Sequence, residues 1–302
     1  MALLRSSLAG LAGACVLALL GAGAGGAKVS APDLTLYGGL GTWIDIYSPS
    51  FRTAPGRLAA GLQARGVQTL FVETGNFRQR VDVVGRGQLG SLIDAAHALG
   101  ISVVAWYLPD FVNQARDLRR ARAAISFRTT SGDRFDSFAL DIESSLVRNT
   151  AERNRRLLAL SARLRAVAGP DYAIGAIIPS PVGMKLLPRY WPHFPYAALA
   201  RIYDAFLPMA YFTHRVHGRV AVGRYVRTSV RTIREETANP TLPIHVIGGL
   251  AGAIGTSDAS AFVQTVESCG IDGLSLYDYR GTKASVWAVL DRASLTASVT
   301  RC

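Results

Sequence analysis

From Leu36 onward the chain alternates strictly between short β-branched or aromatic runs and longer stretches of helical period, and that alternation leaves few folds open. The runs fall at residues 42–47, 69–74, 102–108, 137–143, 173–179, 206–212, 243–249 and 273–279. The helical patterns fall at 56–65, 89–99, 114–125, 150–168, 197–203, 221–237, 259–268 and 283–292. In 150–168, Leu157, Leu160, Leu164 and Val167 share one face, with Arg153, Arg156 and Arg163 largely elsewhere. Gly66, Gly100 and Gly169 sit just past helix ends, where a left-handed residue is needed. Eight such units pair in parallel and close into a single α/β domain, a (β/α)8 TIM barrel. A doubly wound sheet is disfavoured, because no phosphate-binding fingerprint opens the first unit. The Gly-x-Gly-x-x-Gly match at Gly21–Gly26 lies in an N-terminal leader, and Gly38-Gly39-Leu40-Gly41 lacks the lysine of a phosphate loop.

A mean hydropathy of +0.22 calls for a check on membrane segments. The only long apolar run is 8–20, preceded by Arg5 and followed by Ala22-Gly23-Ala24. It is shorter than the roughly 20 residues of a span and has the parts of a secretory signal. The expectation is export, with a signal peptide over 1–27 and the barrel over 28–302. An uncleaved anchor is the alternative; a lipid on Cys15 is disfavoured, since Ala12 stands where a lipobox wants Leu. The chain then keeps Cys269 and Cys302. In an oxidising compartment they can pair and close a loop of 33 residues, worth roughly 3 kcal/mol. The net charge of +12 rests almost wholly on arginine, spread over helix faces rather than gathered in a tail. A solvated surface is expected and no nucleic-acid partner.

In a barrel of this kind the site lies at the carboxyl ends of the strands. Polar and aromatic residues gather there: Trp43, Asp45 and Tyr47; Glu73 and Asn76; Trp106, Tyr107 and Asp110; Tyr211; Tyr277, Asp278 and Tyr279. The fourth run is the most informative. Side chains alternate across a strand, so Ala139, Asp141 and Glu143 share one face and Phe138, Leu140 and Ile142 the other. The apolar set should meet the helices, which turns the two carboxylates into the barrel about 6 to 7 Å apart. At that distance an ionised pair repels by roughly 2.5 kcal/mol, so one group keeps its proton to higher pH, as a general acid must.

Phe135-Asp136-Ser137-Phe138-Ala139-Leu140-Asp141-Ile142-Glu143 resembles the fourth-strand signature of the chitinase-type (family 18) glycoside hydrolases, Phe-Asp-Gly-x-Asp-x-Asp-x-Glu. Pro208-Met209-Ala210-Tyr211 resembles that superfamily's Met-x-Tyr strand, and 273–278 is similar in spacing, with Tyr277 where the family usually has Trp. The resemblance implies catalysis by Glu143, Asp141 and Tyr211. Glu143 would protonate the glycosidic oxygen, Asp141 would orient and stabilise the substrate's own N-acetyl group as it attacks the anomeric carbon, and Tyr211 would hydrogen-bond that group's carbonyl. Asp136, Trp43, Asp45, Glu73, Asn76, Trp106, Tyr107, Met209, Tyr277 and Asp278 would contact the substrate. Two departures stand out: Ala139 replaces the signature's middle aspartate, and Phe212 replaces the acidic residue that often follows Met-x-Tyr.

A route through two carboxylates would need Glu73, Asp110 or Asp278 as nucleophile. His214 and His217 lack a third ligand, so no metal is expected; no cofactor is expected either. His245 reads as an interior residue, His97 as a helix residue without a partner, and Trp191 as a rim residue. The expectation is thus an exported, monomeric glycoside hydrolase acting on a cell-wall or extracellular polysaccharide. The alternative is a glycan-binding barrel that has lost turnover.

Overall fold

The computed structural model describes residues 31–49, 54–293, 295 and 302. The segment read as a signal, with Cys15 and the glycines at 21–26, lies outside the described residues. Eight parallel strands form the sheet: β1 (Gly39–Ile44), β2 (Thr69–Asn76), β3 (Ser102–Leu108), β4 (Ser137–Asp141), β5 (Ile174–Ile178), β6 (Ala205–Pro208), β7 (His245–Leu250) and β8 (Gly273–Tyr277). Their order is β6-β5-β4-β3-β2-β1-β8-β7, and two parallel bridges, Phe206 to Ile244 and Met209 to Ile247, join β6 to β7. The helices are α1 (Pro55–Gln63), α2 (Arg86–His97), α3 (Gln114–Ile125), α4 (Thr150–Ala168), α5 (Pro181–Leu186), α6 (Tyr196–Leu199), α7 (Arg219–Thr237), α8 (Thr256–Ser268) and α9 (Ala284–Leu290). This is the (β/α)8 barrel that the alternation implies.

The differences from the expected elements have local causes. β1 starts at Gly39 rather than 42, and Asp45 to Tyr47 lie past its end. β6 stops at Pro208, which has no N–H to extend the ladder; the amides of Ala210 and Tyr211 turn back to the carbonyls of Pro208 and Met209. Pro188, Pro192 and Pro195 break the stretch after β5, so two short helices replace one. Gly66, Gly100 and Gly169 all take positive φ, as expected. On α4, Val167 is partly exposed, while Arg153 is buried under the ring of Trp191 at 4.5 Å. An arginine stem can cover apolar surface in this way.

The core has two layers. Between sheet and helices pack Phe138, Leu140, Leu157, Leu160 and Leu164 among many others. Inside the barrel a smaller cluster holds Tyr37, Trp43, Phe71, Val104, Trp106, Ala139, Leu207 and Ile247. Trp43 stacks on Phe71 at 4.3 Å and meets Trp106 edge-on at 6.0 Å, and its Nε1 donates to Ser275 Oγ at 2.7 Å. Such bulk requires small neighbours. A Cβ on Gly41 would come within 2.7 Å of Phe71 and 2.8 Å of His245, and one on Gly175 within 2.8 Å of both Leu207 and Tyr37. Ala139 pairs in register with Trp106, whose indole takes space beside it. Among the described residues no helix is long and apolar enough to cross a membrane. Cys269 and Cys302 are joined by a disulfide.

His97, expected to have no partner, lies between two carboxylates, with Nε2 3.0 Å from Asp136 and Nδ1 3.1 Å from Asp133. The hydrogen bond to Asp136 is the main cause that lifts it to about 8, against some loss to burial. The proton-bound form is therefore favoured in the folded state. Its contribution is complete below the unfolded value near 6.5 and lost as pH rises through 8. The cluster is partly exposed, so the effect is about 1 kcal/mol. Urea unfolding should show His97→Gln less stable than the parent at pH 6, with the gap closing by pH 9.

Candidate active site

The fourth strand places its side chains as alternation requires. Ser137, Ala139 and Asp141 face the interior, Ser137 Oγ lying 2.5 Å from Tyr37 Oη, while Phe138, Leu140 and Ile142 face the helices. Asp141 is the last residue of β4, and Glu143 stands just beyond it. Both open on a cavity of about 560 Å³ at the carboxyl ends of the strands. Asp45, Glu73, Asn76, Trp106, Met209, Tyr211 and Tyr277 line the same cavity. So do residues that the sequence did not single out, among them Phe77, Arg78, Ser144, Ser145, Leu146 and Leu250. These stand on loops or at a strand's last residue, where no periodicity marks them. The motif of aromatic or polar residues at strand ends is the only signal that reaches Tyr47, which also lines it.

Four positions proposed for substrate contact lie elsewhere. Asp136 sits at the other end of β4, where its carboxylate accepts from the amide of Val103 at 2.7 Å and faces His97. Its even position sends it to the helix side, with Phe138. Tyr107 also points to the helices, and its hydroxyl donates to Asp117 at 2.7 Å. Trp43 is buried beneath the cavity as part of the interior stack. Asp278 does not line the cavity; its Oδ1 accepts from the amide of Gly281 at 2.8 Å. Asp110 is paired with Arg116 and accepts from the amides of Val112 and Asn113, which makes it a loop brace rather than a nucleophile. Trp191 is buried and donates to Asn154, away from the rim. His217 pairs with Asp258, and no cluster of three metal-ligating residues occurs among the described residues.

The electrostatics of the cavity floor are those of carboxyls with no cation bound to them; Arg78, the cation in the lining, makes no ion pair with a described residue. Neither Asp141 nor Glu143 makes an ion pair or side-chain hydrogen bond with a described residue, and Asp141 Oδ1 is buried without a partner. Burial raises Asp141 well above the usual carboxylate range, and the charges of Glu143 and Glu73 add to it. Burial likewise raises Glu143. Glu73 is lifted to about 7 by burial, although Oε2 accepts from the amide of Ile46 and Oε1 from Asn76. Tyr211 is raised by burial and by Asp141, so it remains a neutral hydroxyl that can donate. Tyr277 Oη donates to Asp45 at 3.2 Å, and Tyr190 Oη to the carbonyl of Glu143 at 2.7 Å, which fixes the backbone there. Together these groups supply a proton donor, a second carboxyl two residues away, and aromatic walls.

Glu73 gives a stability test. Its folded value exceeds its unfolded one, so ionisation is disfavoured in the fold. Stability is full below about 4.5 and declines as pH rises to about 7. Glu73→Gln should therefore be more stable than the parent at pH 8, by about 3 kcal/mol in urea unfolding, and lose that advantage at pH 4.

The larger hollow, about 740 Å³, lies at the amino ends of the strands. Among the described residues that line it, Asp272 and Asp291 are the only ionisable side chains, and Asp272 is held by the amide of Ile244. Nothing there pairs an acid with a base, so the smaller cavity is the candidate.

No family model matches the sequence, and no curated protein matches it. Solved structures do match the fold. An endo-β-1,4-mannanase from Thermotoga petrophila superposes with a TM-score of 0.64 at 12% identity, over 84% of this chain and 75% of that one. A chitinase from Bacteroides thetaiotaomicron gives 0.62 at 11%, over 85% and 96%. A family 18 N-acetylglucosaminidase from Paenibacillus barengoltzii gives 0.53 at 10%, over 85% and 100%. At such identities the likeness establishes a shared barrel.

Proposed function

We propose that the protein is a glycoside hydrolase that cleaves a cell-wall or extracellular polysaccharide, with Glu143 as general acid and Asp141 as its stabilising partner. The observation that carries this is the pair itself: two carboxyls, raised by burial, opening on one cavity at the carboxyl end of β4, neither in an ion pair with a described residue. Structural charges would be paired; charges left unpaired in a cavity are suited to a reaction. The fold neighbours support the reading, since those named above are a mannanase, a chitinase and an N-acetylglucosaminidase.

In this mechanism Glu143 gives its proton to the glycosidic oxygen as the bond to the anomeric carbon breaks. Asp141 stabilises the positive charge on the sugar, or orients an N-acetyl group that attacks the anomeric carbon where the sugar carries one. Water then adds to that carbon and returns a proton to Glu143. Tyr211 donates to the sugar or its acetyl carbonyl, and Tyr277 and Trp106 form apolar walls. Ala139 leaves Asp141 without the neighbouring aspartate of the family 18 signature. Glu73, which also acts on Asp141 through its charge, is a second carboxyl the cavity offers in its place.

Export through a signal over residues 1–27 belongs to the same proposal, and the Cys269–Cys302 disulfide is in keeping with an oxidising compartment. The test is incubation of the protein with peptidoglycan, chitin oligomers and microbial or plant glucans, followed by assay of reducing ends. Release from one of them is the expected result. Binding without release from any would favour the inactive glycan-binding barrel.

A further inference from the structure

Among the described residues one cation lines the catalytic cavity, Arg78. Four carboxyl side chains share that cavity, yet its guanidinium makes no ion pair or hydrogen bond with a described residue. It rests against the face of Phe77, 5.3 Å away. The charge is not engaged by the floor either, because the raised values of Asp141 and Glu143 arise from burial and from other carboxyls. The segment that carries it is braced. The amide of Arg78 donates to Asn76 Oδ1 at 3.0 Å, and Asn76 Nδ2 donates to Glu73 at 3.0 Å. On the outer side Arg120, buried on α3, donates to the carbonyls of Asn76 and Gln79, one on each side of Phe77 and Arg78. The guanidinium is thus exposed at the rim on a fixed support, with its donors free.

A guanidinium resting on an aromatic ring presents a planar fork of donors that matches a carboxylate. Two further exposed arginines follow strand ends, Arg80 after β2 and Arg148 after β4; neither forms an ion pair with a described residue, and both add positive potential to the carboxyl-end loops. The floor repels an anion less than four carboxyls suggest, since burial keeps protons on Glu73 and Glu143 to higher pH.

We propose that the polysaccharide is acidic, and that Arg78 binds an ionised carboxylate on it at the rim while the bond to be cleaved lies over Asp141 and Glu143. The inference rests on the hydrolase reading and narrows its substrate class. Two sources offer this chemistry, a uronic acid within the chain and a lactyl ether on an amino sugar.

The test measures binding by calorimetry and turnover by reducing ends, on the same polymers and at physiological salt. Hyaluronan oligosaccharides supply uronates, peptide-free peptidoglycan strands supply lactyl groups, and the carbodiimide-amidated form of each is its neutral match. The parent should bind one acidic polymer at least tenfold more tightly than its amidated form. Arg78→Gln should collapse that ratio towards one, and Arg78→Lys should recover part of it. Arg163→Gln, an exposed arginine on α4, should leave the ratio as it is. Equal binding of acidic and amidated forms overturns the proposal, as does a preference that Arg78→Gln leaves intact or that Arg163→Gln removes equally. Cleavage of neutral chitin oligomers with no acidic preference would sink this inference and keep the hydrolase. Arg78-dependent binding of carboxylates without cleavage would do the reverse.

Discussion

Glu143→Gln is expected to slow the release of reducing ends by about 10²- to 10⁴-fold, the range attributed to a general acid, with little change in KM. The amide keeps the volume and polarity of the side chain but has no proton to give. Glu143 makes no ion pair or side-chain hydrogen bond with a described residue, so its replacement breaks no internal contact. The melting temperature should accordingly stay within a few degrees of the parent. The pH profile supplies a second readout. Because burial raises Glu143 and Asp141, the acid stays protonated to higher pH than a free carboxyl, and parent activity falls as pH climbs through that raised value. The alkaline limb belongs to the coupled pair rather than to either residue. It should be absent from whatever activity Glu143→Gln retains. Parental turnover in the variant would remove Glu143 from the reaction.

Trp43→Ala is expected to cost about 3 to 5 kcal/mol, the range for deleting a buried large aromatic side chain. Trp43 is 2% exposed, stacks on Phe71, meets Trp106 and donates to Ser275. Its loss leaves a void inside the barrel and a buried hydroxyl without its donor. For a domain of this size the melting temperature should fall by roughly 10 °C. Trp43→Phe retains an aromatic face but not the N–H, and should lose about 1 kcal/mol for the missing donor plus the smaller cost of the reduced ring. Urea unfolding of both variants measures the difference. A loss under 1 kcal/mol for Trp43→Ala would mean that the interior stack does not support the barrel. Trp43 stands two residues below Asp45, so the alanine variant should also weaken substrate binding through the cavity floor.

How much of this was legible in the sequence depended on whether the signal was local. The alternation on β4 was, and it placed Asp141 inward correctly because a pleated strand leaves no other choice once Phe138, Leu140 and Ile142 face the helices. The same rule read on β3 and at the start of β4 assigns Tyr107 and Asp136 to the outer face. The likeness to a family signature pointed the other way for Asp136, and the strand geometry prevailed. Five residues of strand also separate Asp136 from Asp141 by about 16 Å, too far for one sugar site. Ala139 is explained only by Trp106 beside it, a contact between strands 33 residues apart in the chain.

By itself, then, the sequence determined the eight-fold alternation, the inward carboxylate on the fourth strand and the pair of cysteines able to meet. Those follow from residue type and period, which are properties of short segments. Tertiary structure alone decided that Arg78, Leu146 and Leu250 share a cavity with Glu73 and Glu143, that Asp110 is spent on Arg116, and that His97 lies between two aspartates. Loop residues carry no period, and their neighbours come from distant strands; only closure of the barrel brings them together.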